Sequence, residues 1–268
     1  MVARLMEAFN RHPNITMDVG QVLFGQTVTL SGDVMAQFDR RYDASPQKWN
    51  VWHAENEGSG GIVPYHYKTA GFVNGLQWAI GLELFLMSDD PWRMALSTDH
   101  PNGGSFENYP KLIRLLMDKQ FRKDQAALVN QKAVNSTSLL DIDREFTMQE
   151  IAVVTRAGPA KLLGLTDKGH LGVGADADIT IYDEMEDKEA MFNAARYVVK
   201  SGELFINNHE FCSDYEGRIL HVAPEYDLDI ETKLKPFFED YYSIQFENYA
   251  VGDQYLHGAE TVPTMRKN

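Results

Sequence analysis

The sequence predicts an α/β protein in which short parallel strands carry the chemistry at their ends. Three observations carry that prediction. Residues 15 to about 100 run strand, irregular loop, helix, strand; residues 105 to 135 are patterned as helix; and beyond about residue 165 the texture changes to short β-branched runs punctuated by glycine.

Taken in order, Leu5 to Asn10 reads as the end of a helix, and Ile15–Val19 and Val22–Phe24 read as short strands bounded by glycine. Asp39 to Lys68 carries Trp49, Trp52, His53, Glu55, Glu57, the glycine cluster 58–61 and Pro64 without sustained periodicity, so it reads as a long loop. From Gly75 to Leu86 the apolar residues Leu76, Ala79, Ile80, Leu82, Leu84 and Phe85 specify a mostly buried helix that stops before Asp89-Asp-Pro91. Arg93–Ser97 is a short strand. In the helical stretch 105–135, Leu112, Ile113, Leu115, Leu116 and Met117 form a broad apolar face, with Lys119, Arg122, Lys123 and Asp124 assigned to water.

Thr147-Met-Gln-Glu150 has capping-box spacing and predicts a helix through Ile151, Val154 and Thr155. Gly158-Pro159 is expected to interrupt it, with Pro159 opening a second short helix and Gly164 closing that one in a left-handed conformation. Ile179–Tyr182 then reads as a strand and Tyr197–Ile206 as a hairpin turning at Ser201-Gly202. Gly169, Gly172 and Gly174 lie close together, but no Lys-Ser/Thr follows and no long helix supplies an amino-terminal dipole, so nucleotide binding is rejected in favour of turns. The stretch from Glu210 to Asn268 is acidic and rich in large rings, among them Phe237, Phe238, Tyr241, Tyr242, Phe246 and Tyr249. Two readings stand for this tail: packing on its own domain, or docking on another subunit, where aromatics are enriched.

Composition narrows the function. The 268 residues hold 25 Lys+Arg against 39 Asp+Glu, a formal charge of −14, which repels phosphate backbones and anionic lipid; nucleic acid and membrane are poor partners. The single cysteine, Cys212, excludes an intrachain disulfide and a four-cysteine metal or iron–sulfur site, and a reducing, cytoplasmic compartment is the expectation.

Thr98-Asp-His-Pro-Asn-Gly-Gly104 directly follows the Arg93–Ser97 strand. In parallel α/β architectures catalytic groups sit in loops at the carboxyl ends of strands, so Asp99 and its loop neighbours His100 and Asn102 are candidate site residues. The competing reading is that Asp99 only sets up a turn by bonding nearby amides. His53 and Glu55, in the long loop, are further candidates for a substrate pocket; His170, between glycines, reads as a satisfied surface or interdomain histidine.

Seven segments together resemble a known family. They are Gly20-Gln-Val-Leu-Phe-Gly25, Gly58-Ser-Gly-Gly-Ile-Val-Pro-Tyr65, Leu76-Gln-Trp-Ala-Ile-Gly-Leu-Glu-Leu84, Ser97-Thr-Asp-His-Pro-Asn-Gly-Gly104, Asp143-Arg-Glu145, Thr155-Arg-Ala-Gly-Pro-Ala-Lys-Leu-Leu-Gly-Leu165 and Gly169-His-Leu-Gly-Val-Gly-Ala-Asp-Ala-Asp178. They resemble the carboxyl-terminal half of the A-type subunit of formylmethanofuran dehydrogenase and the related subunit of the formyltransferase/hydrolase complex, within the amidohydrolase superfamily. The resemblance covers about residues 15 to 249. It implies the last βα units of an amidohydrolase (β/α)8 barrel in residues 1–165, part of a small β-sandwich in 166–222 and an acidic aromatic tail in 223–268.

By resemblance, the activity is interconversion of formate and an N-formyl carrier in C1 metabolism, of methanogenesis or methylotrophy. That is formyl-amide hydrolysis or its reverse at a binuclear metal centre, usually zinc, with the other subunits of the complex and the formyl carrier as partners. Asp99 matches the aspartate that touches a metal and acts as general base. None of the eight histidines forms the family's His-x-His pair, and by the resemblance that pair, the carboxylated lysine and the further histidine would lie upstream. A full barrel takes about 250 residues; the expectation is therefore a fragment or the second half of a split subunit, with the remaining ligands upstream. Two other readings are a non-catalytic assembly module and an imidase- or deaminase-like amidohydrolase.

Overall fold

In this computed structural model the described residues are 2–31, 61–222, 226–241, 246–249 and 253–262. The chain divides into two compact units, residues 1–25 with 66–216 and residues 26–65 with 217–268. The segment 166–216, expected as separate from the residues before it, therefore falls in the same unit as most of them.

The first unit begins with helix α1 (Val2–Arg11), which buries Val2, Met6 and Phe9. Arg93 holds its carboxyl end: the guanidinium stacks over the Phe9 ring and its Nη1 donates to the carbonyls of Phe9, His12 and Ile15 at 3.0–3.3 Å. Strand β1 (Met17–Gly20) follows. Val22–Phe24 is not a strand as expected. Leu23 instead donates its N–H to Gly103 and Phe24 packs on Trp78, so these residues serve as a wall of the loop after the neighbouring strand.

Strand β2 (Gly25–Ser31) pairs with β3 (Gly61–Tyr67), so the end of the long expected loop is a strand. Helix α2 (Phe72–Leu86) forms where the apolar run predicted it. Trp78, Ala79, Leu82, Phe85 and Leu86 are buried, and the helix ends before Asp89 because Asp90 caps the next turn through the Trp92 amide and Pro91 cannot continue the ladder. Strand β4 (Met94–Ser97) pairs with β1 in parallel, Met17 opposite Met94 and Gly20 opposite Ser97. Both strands end at the same edge.

The helical stretch predicted over 105–135 is three helices: α3 (Tyr109–Met117), α4 (Lys119–Ala127) and α5 (Gln131–Val134). Asp118 in extended conformation breaks the first from the second and caps the latter through the Phe121 amide at 2.8 Å; Asn130 caps the third. Arg122 contradicts its assignment to water. It is 1% exposed and donates to the carbonyls of Leu115, Ile142 and Arg144 at 2.8–3.2 Å, joining α3 to the loop 142–146. The long aliphatic stem makes the residue compatible with an apolar helix face, provided its head finds acceptors.

The capping box at Thr147 forms as predicted, with Glu150 N–H donating to Thr147 Oγ1 and Thr147 N–H to Glu150 Oε2, and opens α6 (Met148–Ala152). Pro159 sits in the first turn of a second short helix as predicted, but the backbone stays helical up to it. Residues Val153–Ala157 widen into a π turn and the chain runs on into α7 (Gly158–Leu162), since the wide turn absorbs the missing Pro159 N–H. Gly164 closes it at φ +74°.

Strands β5 (Ile179–Ile181), β6 (Tyr197–Lys200), β7 (Glu203–Asn207) and β8 (Glu210–Phe211) form an antiparallel sheet in that order, with helix α8 (Lys188–Asn193) between the first two. The predicted hairpin turns at Ser201 (φ +50°) and Gly202 (φ +86°), the two left-handed positions of a tight turn whose twist matches the strands. The core of this unit is continuous from α1 through α2 and β4 to α3 and α6.

In the second unit β9 (Leu220–Val222) pairs in parallel with β10 (Glu260–Val262), and α9 (Asp229–Tyr241) lies between them in sequence. Within it Phe238 packs edge-on against Phe246 at 5.3 Å, while Phe237 is half exposed. None of the described helices is long and apolar enough to cross a membrane.

Candidate active site

The candidate site is the edge at which β1 and β4 both end. Gly20 and Ser97 close the paired register, the Gln21 N–H donates to the Ser97 carbonyl at 2.9 Å, and the chain beyond Thr98 turns into the predicted loop. Asp99 opens this turn with φ +48°. That left-handed conformation costs most residues about 1 kcal/mol or more, but aspartate adopts it more readily because its short side chain bonds locally.

Here the local bond is to Asn102, whose side-chain amide donates to Asp99 Oδ2, while the Asn102 N–H donates to the Asp99 carbonyl. Asp99 thus makes the turn, and the residue is exposed. The carboxylate is held at Oδ2, a bond that does not engage the other oxygen.

Two glycines make the loop possible. A Cβ on Gly103 would collide with the Thr98 carbonyl and stand 3.0 Å from that of Gln21, so the turn closes against the strand exit only without a side chain. A Cβ on Gly20 would stand 3.1 Å from Asp99 Cβ. The Gly103 N–H donates to Thr98 O at 2.9 Å and its carbonyl accepts from Leu23 N at 2.8 Å.

His100 shares the loop but packs its exposed ring edge-on against Phe106 at 4.9 Å. Asn102 is thereby the loop candidate tied directly to Asp99. His53 and Glu55 lie outside the described residues. His170 is satisfied locally: its Nε2 is 2.9 Å from Thr166 O and its Nδ1 accepts from Gly172 N–H at 3.0 Å. The glycines around it make turns as expected, and Gly169 also lets the chain approach Arg156 O and Ala160 closely.

Among the described residues no group of three or more His, Cys, Asp or Glu side chains could hold a metal ion. Asp99 is one donor where a binuclear centre requires several, so such a centre does not fit the described residues by themselves.

Sequence reasoning missed Gln21. It is fully buried, and its Nε2 donates to Trp78 O at 3.1 Å and Val22 O at 2.8 Å. The available signal was a long polar side chain between Gly20 and the apolar Val22-Leu-Phe24. It missed Glu83 as well, a carboxyl buried in α2 that accepts from the Ser138 N–H; burial pushes it above the usual carboxylate range, and the Ser138 bond works against that.

The sequence pattern of the amidohydrolase family matches residues 2–206. The chain belongs to the amidohydrolase family. Among curated relatives it is 45% identical over 250 residues to the A-type subunit of the formyltransferase/hydrolase complex Fhc of Methylorubrum extorquens, covering 93% of this chain and 45% of the relative. It is 38% identical over 265 residues to protein FwdA of Methanocaldococcus jannaschii, covering 94% of this chain and 46% of that one. A solved structure, the Methylorubrum extorquens formyltransferase/hydrolase complex FhcABCD in complex with methylofuran, contains a chain that superposes with a TM-score of 0.78 at 43% identity. The match covers 97% of this chain and 48% of the other. This amidohydrolase-family chain therefore spans about half the length of the curated relatives it matches, and the resemblance to subunits of this type holds.

Proposed function

We propose that the chain is part of an amidohydrolase like the A-type subunit of formylmethanofuran dehydrogenase, one that interconverts formate and an N-formylated methanofuran-type carrier by hydrolysis of the formyl amide or its reverse. The observation that carries this reading is the Asp99 carboxylate at the carboxyl edge of parallel strands β1 and β4, oriented by Asn102 within a sequence 45% identical to the Fhc relative. In this reading residues 1–165 supply the last units of a (β/α)8 barrel, residues 166–222 most of a small β-sandwich, and residues 223–268 an acidic aromatic tail. The other subunits of such a complex are the partners.

In this reading Asp99 would be one ligand of a binuclear zinc centre, which would polarise the formyl oxygen and acidify the attacking water; the described residues by themselves would not complete it. As general base, the Asp99 carboxylate takes a proton from the attacking water as its oxygen bonds to the formyl carbon. It returns that proton to the leaving amine nitrogen as the C–N bond breaks, releasing the amine carrier and formic acid, which ionises to formate by giving its proton to solvent. Asn102 holds Asp99 Oδ2 through this exchange. His100, edge-on against Phe106, would border the carrier.

The test is Asp99→Asn in the protein as isolated with its natural partner chains. Loss of formyl-amide hydrolysis by at least about 100-fold with an unchanged melting temperature is the expected result; near-normal turnover would overturn the assignment.

A further inference from the structure

We infer that Gln21 is a positioning residue for Asp99, acting as a buried amide clamp that locks the exit of β1 to α2 and thereby fixes the loop on which Asp99 stands. The inference rests on the reading of Asp99 as general base for its catalytic consequence, but not for its structural one.

Burying a primary amide completely is unfavourable unless its hydrogen-bonding groups are used. Gln21 is 0% exposed, and its two Nε2 bonds go to carbonyls of different elements: Trp78 O in α2 and Val22 O in the segment leaving β1. Both partners are acceptors, so the amide can face them only with its nitrogen. Its Oε1 is left buried without a hydrogen-bond partner, aimed at Gly81, where any Cβ would collide with it. The slot in α2 is therefore cut to this side chain: a glycine in a helix, unfavourable for the helix itself, stands where the amide needs the room.

The backbone of the same residue carries the other half of the clamp. Gln21 N–H donates to Ser97 O, two residues before Asp99, and Gln21 O lies against Gly103 in the close approach already described. Leu23, two residues on, secures the loop through its N–H bond to Gly103 O. One side chain thus anchors the stretch 20–23 to a rigid helix, and that stretch is the surface on which the Asp99 loop is hydrogen-bonded. A base displaced by a fraction of an ångström loses rate in the chemical step while substrate binding elsewhere is kept, so the expected signature is in kcat.

The experiment compares Gln21→Met, which keeps the volume and removes the amide, and Gly81→Ala, which displaces the amide from the helix side, with Asp99→Asn in the protein as isolated with its natural partner chains. Amide hydrogen exchange at Asn102 and Gly103 should accelerate at least tenfold in both clamp variants, with Ile113 and Leu116 within twofold of the parent. Formyl-amide hydrolysis should lose at least tenfold in kcat with KM within threefold. Unchanged loop exchange, or a loss confined to KM, overturns the clamp even where Asp99→Asn is inactive. Active Asp99→Asn together with accelerated loop exchange overturns the catalytic reading and leaves the clamp standing. Should Gln21→Met fail to fold, Gly81→Ala decides by the same readouts.

Discussion

The side-chain amide of Asn102 donates to Asp99 Oδ2 across a four-residue turn whose first residue has a left-handed backbone. The geometry of the turn and the orientation of the carboxylate are therefore one feature. If Asp99 is the base, Asn102→Ala frees the carboxylate to rotate, and kcat for formyl-amide hydrolysis should fall roughly 10- to 100-fold with little change in KM. Steady-state kinetics on the isolated protein check this, and equal effects on binding and turnover would contradict it. His100→Ala should cost less than Asn102→Ala, because His100 packs on Phe106 instead.

Gly103 tests the loop independently of catalysis. With Thr98 O and Gln21 O crowding the position of any Cβ, Gly103→Ala should destabilise the protein by about 1–3 kcal/mol, as overpacking does. Chemical denaturation measures it; a neutral result would mean that the loop and strand exit separate freely.

Arg122 offers a larger effect. Its guanidinium serves the carbonyls of Leu115, Ile142 and Arg144 from a fully buried position. Arg122→Met should cost about 3 kcal/mol, since the stem is replaced but buried carbonyls lose their donors. Arg122→Lys should recover only part, because an ammonium cannot reproduce the planar fork. Denaturant titration of the two variants beside the parent measures both.

Asp178 predicts how the protein responds to acid. Lys200, the Ser201 N–H and Lys168 all bond its carboxylate and outweigh the opposing effect of burial, holding it at about 2 against an ordinary 3.8. A folded value below the unfolded one stabilises the fold fully above about pH 4, and that stabilisation is lost as pH falls from about 4 to 2. The magnitude is roughly 2 kcal/mol. Asp178→Asn should flatten the melting temperature across this window while lowering it at neutral pH; an unchanged acid limb would contradict the assignment.

The capping box gives the smallest prediction. Thr147→Ala removes the acceptor for the Glu150 amide and should cost about 1 kcal/mol, measured by denaturant titration.

The local elements were determined by the sequence itself, because their signals are local. The apolar run in α2, the capping box at Thr147, the left-handed Gly164 and the Ser201-Gly202 turn each depend on residues a few positions apart. The position of Asp99 was readable too, since a carboxylate directly after a strand needs only the strand to be recognised. Tertiary structure decided what depends on partners distant in sequence. Arg122 reads as a solvent-facing base until Ile142 and Arg144 bring carbonyls to it, and Val22–Phe24 reads as a strand until Gly103 takes the Leu23 N–H. Gln21 meets its acceptor on Trp78 some 57 positions along the chain. A buried polar group is intelligible only with its acceptors in view. Gln21, the residue proposed to position the Asp99 loop, is concealed in the sequence for that reason, whereas Asn102 is legible beside Asp99.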